Sequence, residues 1–169
     1  GMGEKLQRQR EMCIDPYTRV ANRSKELVPM EVKTVLTLEK SGKGLHVATT
    51  ICNQAKDHRV RVVMPTGLNT STHLADSAFE VVKRNNRHND TWTNPCGCER
   101  QQCFAAMEDE TNGILVANRG LYEYEVLADE ENAIAVTLLR SVAEMGDWGY
   151  FPTPKAQQIG TFTLEFEVV

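Results

Sequence analysis

Between residues 31 and 51 the chain falls into two stretches whose side chains sort with a period of two. Val32, Thr34, Leu36 and Leu38 alternate with Glu31, Lys33, Val35, Thr37 and Glu39. A helix repeats every 3.6 residues and would scatter these side chains. A strand repeats every two and gathers the first set on one buried face. Ser41-Gly42-Lys43-Gly44 supplies a turn, and Leu45, Val47, Thr49 and Ile51 resume the alternation. The segment therefore reads as a β-hairpin. The last residues repeat the pattern, with Phe162, Leu164, Phe166 and Val168 set against Thr161, Thr163, Glu165 and Glu167.

The middle of the chain is punctuated in the same way. Val60 to Met64 is a strand-like run stopped by Pro65 and Gly67. A polar loop is expected next, followed by a second run from Ala78 to Val82. Periodicity then lapses across 85–103, a long irregular loop holding Trp92, Pro95 and three cysteines. Cys103 to Met107 turns apolar again. Ile114–Ala117 and Leu121–Leu127 read as strands, the latter with Tyr122, Tyr124 and Val126 on one face. Ala133–Leu139, apolar and rich in β-branched residues, reads as a mostly buried strand. Eight or so short strands with turns between them predict an all-β fold, an antiparallel β-sandwich. The expected division is a polar segment over 1–30, where Gly1 before Met2 reads as the remnant of a cleaved tag, and a sandwich domain over 31–169. The closing strand ends without a polar tail. That suggests part of a larger sheet assembly, with exposed edges able to pair into a homo-oligomer.

Composition narrows the function classes. The 169 residues carry a formal net charge of −4, and the densest basic run, Lys83 to Arg87, holds three cations. Phosphate neutralisation needs clustered Lys and Arg, so nucleic acid is not an expected partner. No apolar run approaches a bilayer span and the N-terminus is polar, so no membrane partner is expected. Cys96, Cys98 and Cys103 lie close together in NPCGCERQQC, with His88 nearby. Thiolates at such spacing can bind a soft metal, but a C-x-x-C pair is missing. Reduced thiols in a surface loop of a cytoplasmic protein are the plainer reading. No metal site is assigned to them.

Five ordered segments share a further likeness. They are the hairpin with its Asn53–Arg59 link, Pro65 to Ser77 (PTGLNTSTHLADS), Gly113 to Val126, Ala135 to Val142, and Pro152-Thr153-Pro154 with Gln157, Gly160 and the final strand. In this order and spacing, over roughly Val32 to Val169, the chain resembles the C-terminal β region of glycoside hydrolase family 38, in the bacterial branch of α-mannosidases and mannosylglycerate hydrolases. The resemblance implies an incomplete part of a galactose-mutarotase-like supersandwich. It also implies an upstream α/β catalytic domain as partner, which 169 residues leave no room for. In the family that domain holds an aspartate nucleophile and a divalent metal, usually zinc, bound through an H-x-D motif. Retaining chemistry places a second carboxyl group about 5 Å from the first. His88-Asn89-Asp90 fits H-x-D in form, but it lies in a polar loop without a preceding apolar strand and reads as coincidence.

Four residues are candidates for contact with a sugar. Arg140 ends the apolar run Ala133–Leu139. Such a charge is aimed at a carboxylate, a ligand or a domain interface, and the resemblance implies a reach toward the active site. His73 and Asp76 are three residues apart, close enough in sequence for a carboxylate to fix an imidazole tautomer. The simpler alternative is a loop-bracing network. Trp148, in the glycine-flanked GDWGY, can stack on a sugar ring, as can Trp92 and Tyr150. Asn118 and Arg119 read as shaping the turn at Gly120. Three functions compete: a noncatalytic sandwich of an α-mannosidase-like glycosidase, inactive alone, that supports the catalytic domain and can lend a residue to its sugar site; an independent carbohydrate-binding module taking mannosides; and a mutarotase-like enzyme using a histidine with a carboxylate.

Overall fold

The computed structural model describes residues 25, 27–89, 91–92, 96–128, 131–145 and 151–169. Their strands form two facing antiparallel sheets and a small ribbon. Along the chain come β1 (Glu31–Leu38), β2 (Leu45–Asn53), β3 (Arg59–Met64), β4 (Thr72–Ser77), β5 (Glu80–Asn85), β6 (Cys98–Arg100) and β7 (Phe104–Glu108). Then follow β8 (Gly113–Asn118), β9 (Glu123–Leu127), β10 (Ala133–Arg140), β11 (Glu144–Met145), β12 (Phe151–Pro152) and β13 (Gly160–Val168). The large sheet runs β1-β2-β13-β8-β7-β4-β5, the smaller one β3-β10-β9-β6, and β11 pairs with β12.

The core lies between the two larger sheets. Ile51, Val116, Phe166, Ala105 and Met107 come from one side, and Tyr124, Ile134, Val136 and Leu138 from the other. Each large side chain fully withdrawn from water stabilises the fold by about 1.5–3 kcal/mol. The expected hairpin forms in register, with Val32 opposite Ile51 and Leu38 opposite Leu45. Its first strand departs from expectation, because every residue of β1 is exposed. Thr72–Ser77, expected as a polar loop, is the strand β4. Polar side chains do not prevent it, because His73 and Ala75 point into the core and the backbone pairs with β5 and β7. The chain turns at Ala78-Phe79, and the next strand runs to Asn85, beyond the expected Val82. The long loop contains the short strand β6 at Cys98–Arg100, which borders β9.

The strand β10 is buried on both faces until Arg140. Its inner face lies in the core. Its outer face is roofed by charge. Arg59 and Arg61 of β3 and Glu123 and Glu125 of β9 flank Ala135 and Thr137, and they pair across them. A β-bulge makes the roof possible. Thr137 pairs with Arg61, but Leu139, not Leu138, pairs with Val60. Strict alternation would aim Arg140 at the core. The extra residue returns it to the outer face, opposite Arg59, where it donates to Glu123.

Candidate functional site

The structure separates the residues singled out by sequence. His73 projects inward from β4 and is buried. Its Nδ1 lies 2.9 Å from Asn86 Oδ1 and its Nε2 lies 2.8 Å from the Tyr124 hydroxyl. Proton positions follow from the neighbours. Asn86 spends its amide donors on Thr70 O and Asn132 Oδ1, so it offers His73 an acceptor. His73 therefore carries its proton on Nδ1 and accepts at Nε2 from Tyr124. The Tyr124 oxygen in turn accepts from Arg84 at 2.8 Å, whose guanidinium has only protons to offer. Burial pushes the imidazole pKa down. The Asn86 bond opposes that, the Arg84 charge adds to it, and Glu99 opposes it.

Asp76 does not meet His73. Three residues apart on a strand, the two side chains point to opposite faces, and Asp76 Oδ2 accepts from the Cys103 backbone N–H at 3.1 Å. Arg140 is 56% exposed along its side chain and is paired with Glu123. Glu123 also accepts from Arg59 at 3.2 Å and from Thr137 at 2.8 Å. Burial works against the charged form of Glu123. The Thr137 and Arg59 hydrogen bonds and the Arg140 charge outweigh it and hold the carboxyl below its ordinary range. Trp148, Tyr150 and Asp90 lie outside the described residues. Asn118 shapes its turn: its Oδ1 accepts from Leu121 N, and Gly120 takes a φ of +89° that disfavours a side chain.

An open cleft of about 550 Å³ lies beside this network, lined by His73, Asn86, His88, Trp92, Glu99 and Glu125 among others. Trp92 is 60% exposed and its ring stacks on His88, with centroids 5.5 Å apart and planes 20° apart. Sequence reasoning missed the Arg59, Arg61, Glu123, Glu125 lattice. Its signal was legible as two charges spaced by two on each of two strands. It also left His58 without a role. Both His58 ring nitrogens are buried and lack a hydrogen-bond partner among the described residues.

Residues 9–148 match the family model for the glycosyl hydrolases family 38 C-terminal domain. The chain belongs to that family. A curated relative, the "Putative mannosylglycerate hydrolase" of Halalkalibacterium halodurans, is 42% identical over 163 residues, which are 96% of this chain and 18% of the relative. The crystal structure of an α-mannosidase from Enterococcus faecalis superposes with a TM-score of 0.85 at 46% identity, covering 98% of this chain and 18% of that one. A second Enterococcus faecalis structure, of a protein in glycosyl hydrolase family 38, gives 0.82 at 44% identity over 98% of this chain and 19% of its own. The chain thus spans less than a fifth of the length of these relatives.

Among the described residues the metal associated with family 38 finds no fitting ligand set. Among the described residues no three His, Cys, Asp or Glu side chains converge. The Cys98 sulfur faces the Arg59 guanidinium at 2.8 Å, where a second cation would be repelled. Burial pushes the Cys98 thiol up, further than the Arg59 bond and charge pull it down. His88 is stacked on Trp92. Among the described residues no helix is long and apolar enough to cross a membrane.

Proposed function

We propose that this chain is the noncatalytic C-terminal sandwich of an α-mannosidase-like glycosidase and supports a separate catalytic domain that carries the nucleophile and the zinc or other divalent metal. Family membership supplies the setting. The observation that carries the reading is how the polar candidates are spent. Both His73 nitrogens are occupied within the sandwich by Asn86 and Tyr124, and Arg140 is held by Glu123. Groups so engaged brace a fold. General acid–base work needs a proton carrier within reach of substrate. Arg140 is the exposed member of this set, and on this reading it is the residue that would meet the catalytic domain or its sugar. The test is hydrolysis of a 4-nitrophenyl α-mannoside and of mannosylglycerate by the isolated chain. No turnover above buffer is expected, and turnover by the isolated chain, above all turnover lost on His73→Gln or Arg140→Ala, would overturn the reading.

The exposed Trp92 ring beside an open polar cleft favours a second reading, a module that binds mannosides by stacking. Under that reading the isolated chain is retarded in a mannan-containing native gel, and Trp92→Ala restores its mobility.

A further inference from the structure

The two larger sheets do not end together. The large sheet continues out to β1, whereas the smaller one stops at β3. Contacts between the sheets show which edges coincide. At one end Tyr124 of β9 meets His73 of β4, and Glu99 of β6 faces Arg84 of β5 at 3.7 Å. At the other end Asp57, just before β3, accepts from Gln157, just before β13. Asn53, at the end of β2, lies 3.5 Å from Ser141, just after β10. Among the described residues the edge of β3 that pairs with no strand therefore looks toward β1, and no strand of the smaller sheet stands over β1.

The uncovered strip is apolar. Val32, Thr34, Leu36 and Leu38 lie opposite Ile51, Thr49, Val47 and Leu45, so they share the core-facing side of the large sheet. The Thr34 and Thr49 hydroxyls touch at 3.1 Å on that side. Val47, Thr49 and Ile51 are buried, but Val32, Leu36 and Leu38 are 49%, 61% and 74% exposed. Aliphatic side chains on the inner side of a sheet are left in water only where a covering element is missing. The unpaired backbone of β3 beside them is a template for one more strand.

We infer that an extended segment of a longer family 38 polypeptide adds to the free edge of β3 and lays its apolar side chains over Val32, Leu36 and Leu38. This rests on the reading of the chain as the C-terminal sandwich of a larger glycosidase. A strand fits the space, because the next position in the smaller sheet is about 4.8 Å beyond β3, and facing sheets stand about 10 Å apart. Length names the occupant: the matched region is 18% of the relatives' polypeptide, so most of the chain in those relatives is available to supply it. A second copy fits less well. Pairing β3 with its twin would bring Arg59 and Arg61 against their own equivalents, and like charges set opposite each other weaken a ladder.

The experiment places Leu36→Glu and Leu38→Glu together in two settings. One is the isolated chain. The other is the same chain grafted into the matching region of the Enterococcus faecalis α-mannosidase. The expected result is a melting temperature unchanged within about 1 °C in the isolated chain and lowered by about 5 °C or more in the graft. Loss in both settings would mean that this chain covers its own strip, and loss in neither that nothing covers it. An isolated chain that light scattering shows as a dimer, split by the two glutamates, would assign the strip to a second copy. Each of these overturns the inference. If the unsubstituted graft does not fold, the glutamates go into the aligned positions of the intact Enterococcus faecalis enzyme and are read the same way. Failure of the noncatalytic reading would show separately, as mannoside hydrolysis by the isolated chain whatever the strip does.

Discussion

The Tyr124 hydroxyl lies 2.8 Å from Nε2 of His73 and joins the two sheets toward one end of the core. Their rings meet edge to face, with centroids 5.5 Å apart and planes at 81°. The contact is one step in a directed relay from Arg84 through Tyr124, His73 and Asn86 to Asn132. Each acceptor along it faces a group that can only donate or whose donors are fixed, so the relay has a single consistent proton arrangement.

Tyr124→Phe keeps the buried ring and removes the hydroxyl. His73 Nε2 then loses its donor inside the core. The expected cost is about 1–3 kcal/mol, the penalty for a buried polar group left unsatisfied. Urea unfolding of the two proteins measures it as a lower midpoint at an unchanged slope.

The same relay predicts a dependence on pH. The pKa of His73 is lowered in the fold, chiefly by burial, whereas the unfolded chain takes up a proton near the ordinary value of about 6.5. Below that pH the unfolded state binds more protons than the folded one. Stability is therefore complete above about pH 6.5 and declines as pH falls from there toward the folded pKa. Unfolding midpoints measured between pH 7.5 and 5 should fall. The part of that fall that disappears in His73→Gln belongs to the imidazole.

Glu123 and Arg140 are unequal partners. Glu123 accepts from Arg59, Thr137 and Arg140 and is largely covered, while Arg140 is more than half exposed. Glu123→Ala takes the acceptor from Thr137 and Arg140 and leaves Arg59 with Glu125 and Cys98 alone, and is expected to cost about 1.5–3 kcal/mol. Arg140→Ala removes one exposed pair, expected at about 0–1 kcal/mol. A double-mutant cycle separates the two contributions. An equal cost for both would refute the ordering.

Phe79 sits at the turn between β4 and β5 with a φ of +73° and a fully exposed ring. A side chain in that region costs about 1–2 kcal/mol, and asparagine bears it better than most. Phe79→Asn is expected to raise the melting temperature by a few degrees in a thermal scan. A drop would show that the ring is held by something other than its own backbone.

Much of the architecture was legible in the period of two. The β1–β2 hairpin, β3, β10 and β13 each show it or a continuous apolar run, and a strand buried on both faces has no other way to look. β4 was not legible. Its inward residues His73 and Ala75 are a polar side chain and a small one, so hydrophobic contrast is nearly absent and partners on both sides hold the strand in place. The exposure of β1 was hidden for the opposite reason. Its alternation is plain, but alternation says which face is apolar and not whether anything lies against it. His73 and Arg140 were recognisable as residues with a task. Their partners, Asn86, Tyr124 and Glu123, are 13, 51 and 17 positions away, and only the folded topology brings them near.

The extra residue at Leu138 gives this stretch a parity as well as a composition. Removing one residue between Thr137 and Arg140 would close the bulge into an even ladder and leave the guanidinium outside, still opposite Arg59. Adding one there does the reverse, because the next residue out of step turns the guanidinium toward hydrocarbon. A single insertion in this short window should therefore be far more damaging than a single deletion, and a scan of both kinds of length variant would tell them apart.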